Sequence, residues 1–305
     1  MWMLQVLVYG LLKGTREIVK KKSLGRSSVI EVLFFYTLFA FLFVSVDAPN
    51  AGGVDIPHMG YIALKSFIIF LAWMCSFKAI KKMPISLYGI LDLSRVLFAT
   101  LLAVVVMHET LSRNQVLGLV LVCAGLLMLK GRNRKLPAFL SLWKEKQCGS
   151  EQERKAQKQE TEKENVPVRL VLFALASCLL NALSGLMDKL LMRDITSSQL
   201  QFWYMLFLVF FYLVYIIIAR QKINVKSALK NPWIWLLALL FVIADRSLFL
   251  ANGNPDSKIS IMTLIKQSGC IVTILAGKFI FHEKKIGYKL LCAAVIIAGI
   301  VIAVL

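Results

Sequence analysis

Lys13, Arg16 and Glu17 fall inside one apolar run of this sequence, Asp92 and Arg95 inside a second, Asp245 and Arg246 inside a third, and Lys266 inside a fourth. At the centre of a bilayer each ionised side chain costs about 3 kcal/mol on an insertion scale. Facing lipid together they would cost on the order of 20 kcal/mol, so they must pair with one another or line a watery cavity. The chemistry open to them is charge recognition of a small solute and carriage of a proton. Nucleophilic or metal chemistry has poorer material. The three histidines, His58, His108 and His282, stand near the ends of apolar runs, without a nucleophile–base pair or clustered carboxylates. No Gly-rich phosphate loop with a following Lys-Ser/Thr is present, which argues against ATP drive. The six cysteines include no C-x-x-C pair, and five lie in apolar runs as small hydrophobes. We expect no enzyme, no cofactor and no metal.

The spacing sorts these charges. Asp92 and Arg95 are three apart on one helix face, as a private ion pair or as a solute contact. Asp245 and Arg246 are adjacent and point about 100° apart, so at least one must reach a neighbouring helix or the cavity. Lys13 and Glu17 stand at i, i+4 and can pair, leaving Arg16 as a spare cation. The deep positives number five and the negatives three. That excess favours a solute with a carboxylate or other anionic group, such as an amino acid or organic acid. The expected binding residues are Arg16, Asp92, Arg95, Asp245, Arg246, Lys266 and Gln267. Glu17, Asp92 or Asp245 would carry a coupling proton. Ser268, Asn181 and Ser184 could add hydrogen bonds, and Trp73 and Tyr88 aromatic walls, with ordinary packing as the plainer reading. Lys65, Asp188, Lys189, Lys278 and Lys289 lie nearer helix ends and are expected to snorkel. The run FWYMLFLVFF reads as lipid-facing or packing surface.

The chain of 305 residues is 58% hydrophobic with a mean hydropathy of +0.72. Apolar stretches of about 20 residues suit a hydrocarbon core of about 30 Å. We expect ten spans, at approximately 2–22, 28–46, 58–80, 84–107, 112–130, 168–191, 197–219, 231–252, 257–281 and 286–305. No cleavable signal peptide is evident: residues 1–12 lack a basic leader and a cleavage site, and read as the first span. Residues 131–167 contain CGSEQERKAQKQETEKENVP and read as a charged cytoplasmic linker, whose first part, PAFLSLWKEK, could be a short interfacial helix with Trp143 at headgroup level. The domains are then 1–130, the linker 131–167, and 168–305.

The halves repeat. At an offset of 174 (282 − 108), Ile85/Ile259, Ser86/Ser260, Ser94/Ser268, Leu101/Leu275, His108/His282, Glu109/Glu283, Ala124/Ala298 and Gly125/Gly299 are identical. At an offset of 168 (204 − 36), Lys21/Lys189, Phe34/Phe202, Tyr36/Tyr204, Leu38/Leu206, Phe39/Phe207 and Phe43/Phe211 match. Asp92 aligns with Lys266, which the repeat axis would bring to comparable depth. The fold expected is an all-α membrane protein, ten transmembrane helices as two inverted five-helix repeats. The two His-Glu pairs become one loop in two copies. Each carboxylate complements the dipole of the helix that follows, and inversion puts the pairs on opposite faces, too far apart to share a metal. Ala99/Ala103 and Ala294/Ala298 suit close helix packing.

The half-ends MHETLSRNQVLGLVLVCAGLLML and FHEKKIGYKLLCAAVIIAGIVIAVL, with SGLMDKLLMRDITSSQLQFWYMLF opening the second half, resemble the EamA-type family of the drug/metabolite transporter superfamily. The family pattern is an acidic loop residue, then an apolar helix with a small-residue pair; where the family often has Gly before that acid, this chain has His twice. The resemblance spans nearly the whole chain and implies the fold and transport, not the substrate. It also implies both termini inside. The charges imply the reverse, since odd-numbered loops outside the linker carry 13 Lys and Arg against 3 in the even-numbered loops.

The reading is a secondary, non-ATP transporter that moves a small polar metabolite by alternating access at the repeat interface. Its rivals are an efflux carrier for cationic drugs and a non-transporting membrane scaffold or sensor that uses 131–167 as output. The expected partners are a small-molecule solute and the lipid bilayer, with a homodimer left open. The net charge of +19 belongs to cytoplasmic loops, not to nucleic-acid binding. The expected location is the plasma membrane, crossed many times.

Overall fold

The computed structural model describes residues 2–107, 112–131, 166–254, 262, 265–283 and 286–304. Among these the regular structure is all helical. The first half holds α1 (Trp2–Leu24), α2 (Val29–Val44), a 3₁₀ turn (Ser45–Asn50), α3 (Ile56–Lys82), α4 (Ile85–Asp92), α5 (Arg95–Met107) and α6 (Arg113–Gly131). The second holds α7 (Val168–Leu191), α8 (Ser197–Ile218), the short α9 (Val225–Leu229), α10 (Pro232–Asn252), α11 (Ser268–Phe279) and α12 (Ile286–Val304). Nearly all of the 131–167 segment, Trp143 included, lies outside the described residues, as do His108 and Glu109.

Local chemistry sets the helix starts. Ser28 and Glu31 close a capping box at the start of α2, and Thr196 and Gln199 close the same box on α8, 168 residues on. Asn231 accepts from the Trp233 amide at the head of α10, with Pro232 as first residue. Among the described residues, six stretches are long and apolar enough to cross a membrane: Val29–Asn50, Ile56–Lys82, Ile85–Leu102, Val168–Leu191, Ser197–Ile218 and Pro232–Asn252. Helix α1 has the length but carries too many charges for that class. The expected span 84–107 is not one continuous helix. It breaks at Leu93–Ser94, where the Val96 amide donates to the Leu93 carbonyl at 3.1 Å. The expected span 257–281 turns at the equivalent place, the Cys270 amide donating to the Gln267 carbonyl at 2.9 Å. Those two bonds are one bond displaced by 174.

The packing repeats with partners exchanged. Helix α1 lies along α10 as α7 lies along α3, α1 meets α11 as α7 meets α5, and α2 meets α10 as α8 meets α3. Helix α6 pairs with α12. There a Cβ on Gly125 would strike Ile296 and come within 3.2 Å of the Cys292 carbonyl, and one on Gly299 would lie 2.8 Å from Gly118 O and 3.0 Å from Val122 N. Val122 and Ile296 are themselves 174 apart. The backbone approach between α1 and α11 is closer still: a Cβ on Gly269 would sit 2.6 Å from Gly10 O, and one on Gly14 2.7 Å from Gly269 O. Gly269→Val should therefore force α1 off α11, at about 1–3 kcal/mol of overpacking. A lower thermal midpoint in detergent is the expected result, and an unchanged midpoint would contradict the contact.

Candidate functional site

Helix α1 is the spine of the charged centre. Tyr9, Lys13, the adjacent Arg16 and Glu17, and the adjacent Lys20 and Lys21 follow one another at three or four residues, and α1 touches α3, α4, α10 and α11. The expected Lys13–Glu17 pair is not formed. Lys13 instead reaches across to Asp92, Nζ to Oδ2 at 2.5 Å, while Glu17 holds Lys20 at 2.7 Å through both oxygens. A tertiary partner displaces a local one here because Asp92 sits at the open end of α4, where the helix breaks. Asp92 also accepts from Arg95 at 2.8 Å, so the expected i, i+3 pair exists but is shared with Lys13. Cys178 of α7 stands beside it, Sγ 3.9 Å from Asp92 Oδ1.

Arg16 is not a spare cation. Its Nη1 lies 3.5 Å from Asp245 of α10 and its guanidinium covers the Phe241 ring at 4.9 Å. Nη1 nevertheless has no hydrogen-bond partner among the described residues, nor does Arg95 Nε or Ser268 Oγ. Asp245 also accepts from the Tyr204 hydroxyl at 3.0 Å. Helix α8, which holds the run FWYMLFLVFF, is thus two-sided: Tyr204, Leu208 and Tyr212 are buried, and Phe210 and Leu213 face outward.

Lys65 and Asp188 do not snorkel. Lys65 is 2% exposed. It pairs with Asp188 at 2.6 Å and lies 3.8 Å over the Tyr204 ring and 5.4 Å from that of Phe249. The α1–α10 interface thus has its cation on α1 (Arg16), while the equivalent α7–α3 interface has its cation on α3 (Lys65).

At the second helix break Lys266 is half-buried, 6.0 Å from the Tyr9 ring, with no carboxylate at ion-pair distance among the described residues. It does not meet Asp92 directly. Gln267 beside it is 6% exposed and makes no side-chain hydrogen bond among the described residues. The N-termini of α5 and α11 both open at this level, and a helix N-terminus carries partial positive charge. Arg246 belongs elsewhere: it bonds Asp47 at 2.9 Å and the Ser198 hydroxyl at 2.8 Å, tying α10 to the 3₁₀ turn at the end where α2 finishes. Asn181 bonds its own helix, at Ser177 O. Trp73 packs on Tyr36 and Phe241, and Tyr88 shares a hydrogen bond with Ser76 at 2.6 Å. A separate pocket of about 330 Å³ at Val54, Ile56, Met59, Gly60, Ala63 and Phe207 holds no charged group.

At the opposite, lysine-rich end, Glu283 does not serve the helix that follows it. It accepts from the Ile85 amide at 2.6 Å and from the Ser86 amide and hydroxyl, capping α4, with Lys289 at 3.2 Å and Lys21 at 3.8 Å. Lys289, expected to snorkel, donates to the Ser86 hydroxyl at 2.7 Å.

The sequence profile of the EamA-like transporter family matches residues 1–130. Solved structures share the fold. One, a crystal structure of a protein, covers 99% of this chain and 96% of its own with a TM-score of 0.61 and 15% identity, which speaks for the fold alone. No curated protein matches the sequence.

Proposed function

From the match of residues 1–130 to the EamA-like transporter family we propose that the chain is a secondary carrier of two inverted five-helix halves, 1–130 and 168–305, joined by the linker 131–167. The solute site is the charged centre at the two helix breaks: Lys13, Asp92 and Arg95 on one side, Arg16 and Asp245 on another, and Lys266 with Gln267 at the second break. One observation carries this reading. Charges from both halves converge where α4 gives way to α5 and where α11 begins, the discontinuous-helix geometry that carriers use for ionic substrates. The exchange of partners at Gly125 and Gly299 supports the inverted duplication. Lys13, Arg95 and Lys266 against Asp92 leave positive charge at the break, which suits an organic anion or an amino acid's carboxylate. The carboxylates Glu17, Asp92 and Asp245 each face a cation within 3.5 Å. Of the three, Asp245 has the loosest ion pair and is the best proton carrier. Arg246 stands apart and belongs to the closure of its own face. The charge rule puts the lysine-rich face in the cytoplasm, with the plasma membrane as the site of action.

Counterflow in proteoliposomes with labelled amino acids and organic acids tests this. Saturable counterflow, lowered about tenfold or more by Arg95→Ala on loss of a charged contact, is the expected result. Counterflow of cationic drugs alone would move the reading to cation efflux. Silence with both panels would leave the scaffold.

A further inference from the structure

We propose that Glu283 is the latch of the lysine-rich face: it clasps the N-terminus of α4 while that face is closed, and must release it for the site to open there. The inference rests on the carrier reading above. Glu283 lies between α11 and α12, in the second half. Apart from Lys289, its partners are in the first: the Ile85 and Ser86 amides, the Ser86 hydroxyl, and Lys21. One carboxylate therefore joins the halves. The corner it holds is cross-braced, since Lys21 donates to Met83 O at 2.7 Å and Lys289 to the Ser86 hydroxyl at 2.7 Å.

What α4 carries makes the clasp more than a cap. Asp92 lies seven residues past Ile85, about 10 Å along the helix. Between them Tyr88 bonds Ser76, which Lys20 approaches at 3.4 Å. Lifting the start of α4 away from Glu283 would unpack that layer and expose Asp92 and its neighbour Cys178. The contact is built to be reversible, from charge-assisted hydrogen bonds to groups that water can solvate once released. Its geometry is specific as well. His282 takes a left-handed backbone, φ 50°, which a histidine tolerates better than most side chains, and Gly277 leaves the room the carboxylate fills, a Cβ there falling 3.0 Å from Oε2. The sequence repeats part of this set: Ile85/Ile259, Ser86/Ser260, His108/His282 and Glu109/Glu283 at one offset, Lys21/Lys189 at the other, while Gly277 and Lys289 stand opposite Ala103 and Gln115. An alternating gate needs such a set in both halves.

Burial raises the Glu283 carboxyl, but Ser86, Lys289, the Ile85 amide and Lys21 together hold it below the usual carboxylate range. Among the described residues, the charged groups facing it are Lys21 of α1 and Lys289 of α12. The clasp is then complete above the free carboxylate's pKa and is lost as pH falls through the lower, clasped value.

Cys178 reports the opening. The full chain, with Cys75, Cys123, Cys148, Cys270 and Cys292 changed to Ser, is placed in oriented vesicles and labelled with a membrane-impermeant thiol reagent from one side. Glu283→Gln should speed labelling from the lysine-rich face by about tenfold or more, as loss of a charge-assisted clasp implies, without speeding it from the other face. Glu283→Asp should fall between. If Glu283→Gln does not fold, Ser86→Ala still decides, since it removes one donor to the carboxylate and leaves Glu283 in place. It should raise labelling from the lysine-rich face by a smaller factor. Equal rates in the parent and in both variants would overturn the latch. Labelling needs no substrate, so side-selective labelling without counterflow would sink the solute reading alone, and counterflow with flat labelling the latch alone.

Discussion

Asp92→Asn should be the most damaging conservative change in the chain, costing about 3–5 kcal/mol, because it strands a buried charge partner. Asp92 is the shared acceptor of Lys13 at 2.5 Å and Arg95 at 2.8 Å, and the Asp92 and Lys13 side chains are about nine-tenths buried. The amide keeps the shape and removes the only carboxylate either cation touches among the described residues. A fall on the order of 10 °C in the detergent midpoint follows, at ~2–4 °C per kcal/mol. Lys13→Met should behave differently. It leaves Asp92 and Arg95 as a balanced pair, so the protein stays folded while the positive excess at the break shrinks. Counterflow of an anionic solute should then fall with little change in midpoint. Lys13→Met with Asp92→Asn should regain part of the lost stability, since only Arg95, whose side chain is 25% exposed, is left to be hydrated. Equal midpoints for the two single variants would mean that Asp92 answers to one cation and that the shared geometry is wrong.

The contrast depends on a pairing that spacing could not give. Lys13 and Glu17 stand at i, i+4, a good local geometry, yet the structure sends Lys13 to a partner 79 residues away. Local rules rank partners on one helix and are blind to a carboxylate that a broken neighbour brings alongside. The break itself had a trace. Ser94 and Ser268 are among the identical pairs, and they stand at the two turns where α5 and α11 begin. Serine competes for backbone hydrogen bonds and marks such turns, but an isolated serine in an apolar run is too common to be decisive. The aromatic run had a clearer signal. Positions 204, 208 and 212 are one face at i, i+4, i+8, and that is the buried face. Its composition, read without its period, leaves lipid-facing and packing surface undivided.

The identities at matched positions are the most legible feature of the sequence, and their meaning is the least. Identity of His-Glu at two places implied two copies of one loop. Dipole complementarity then offered the following helix as the partner of the acid. Glu283 instead turns back onto α4, guided by the left-handed turn at His282, and the matched Ile85 and Ser86 are what it binds. The matched positions include both ends of this contact, but nothing in a single sequence says that two matched pairs touch. Charge depth misled in the same way. Lys65 and Lys289 were placed by distance from a helix end, whereas burial depends on what a neighbouring helix covers.

Lys65 gives the second large effect. Lys65→Met should destabilise by about 3–5 kcal/mol, because Asp188 loses its counter-ion inside the bundle. A further loss of about 0.5–2 kcal/mol comes from the ammonium over the Tyr204 and Phe249 rings. Asp188→Leu alone should be comparably harmful, stranding an ammonium that is almost fully enclosed. The double variant Lys65→Met with Asp188→Leu should recover most of the midpoint, since replacing both partners of a buried pair by apolar groups of similar volume is often neutral or stabilising. Counterflow separates packing from transport. Tyr204 would keep its bond to Asp245, and Arg16 its place over Phe241, so the refolded double variant should carry solute within a few-fold of the parent. A double variant as stable as the parent but silent in counterflow would put Lys65 or Asp188 on the solute path. The charged centre would then extend from the helix breaks to the aromatic box around Tyr204.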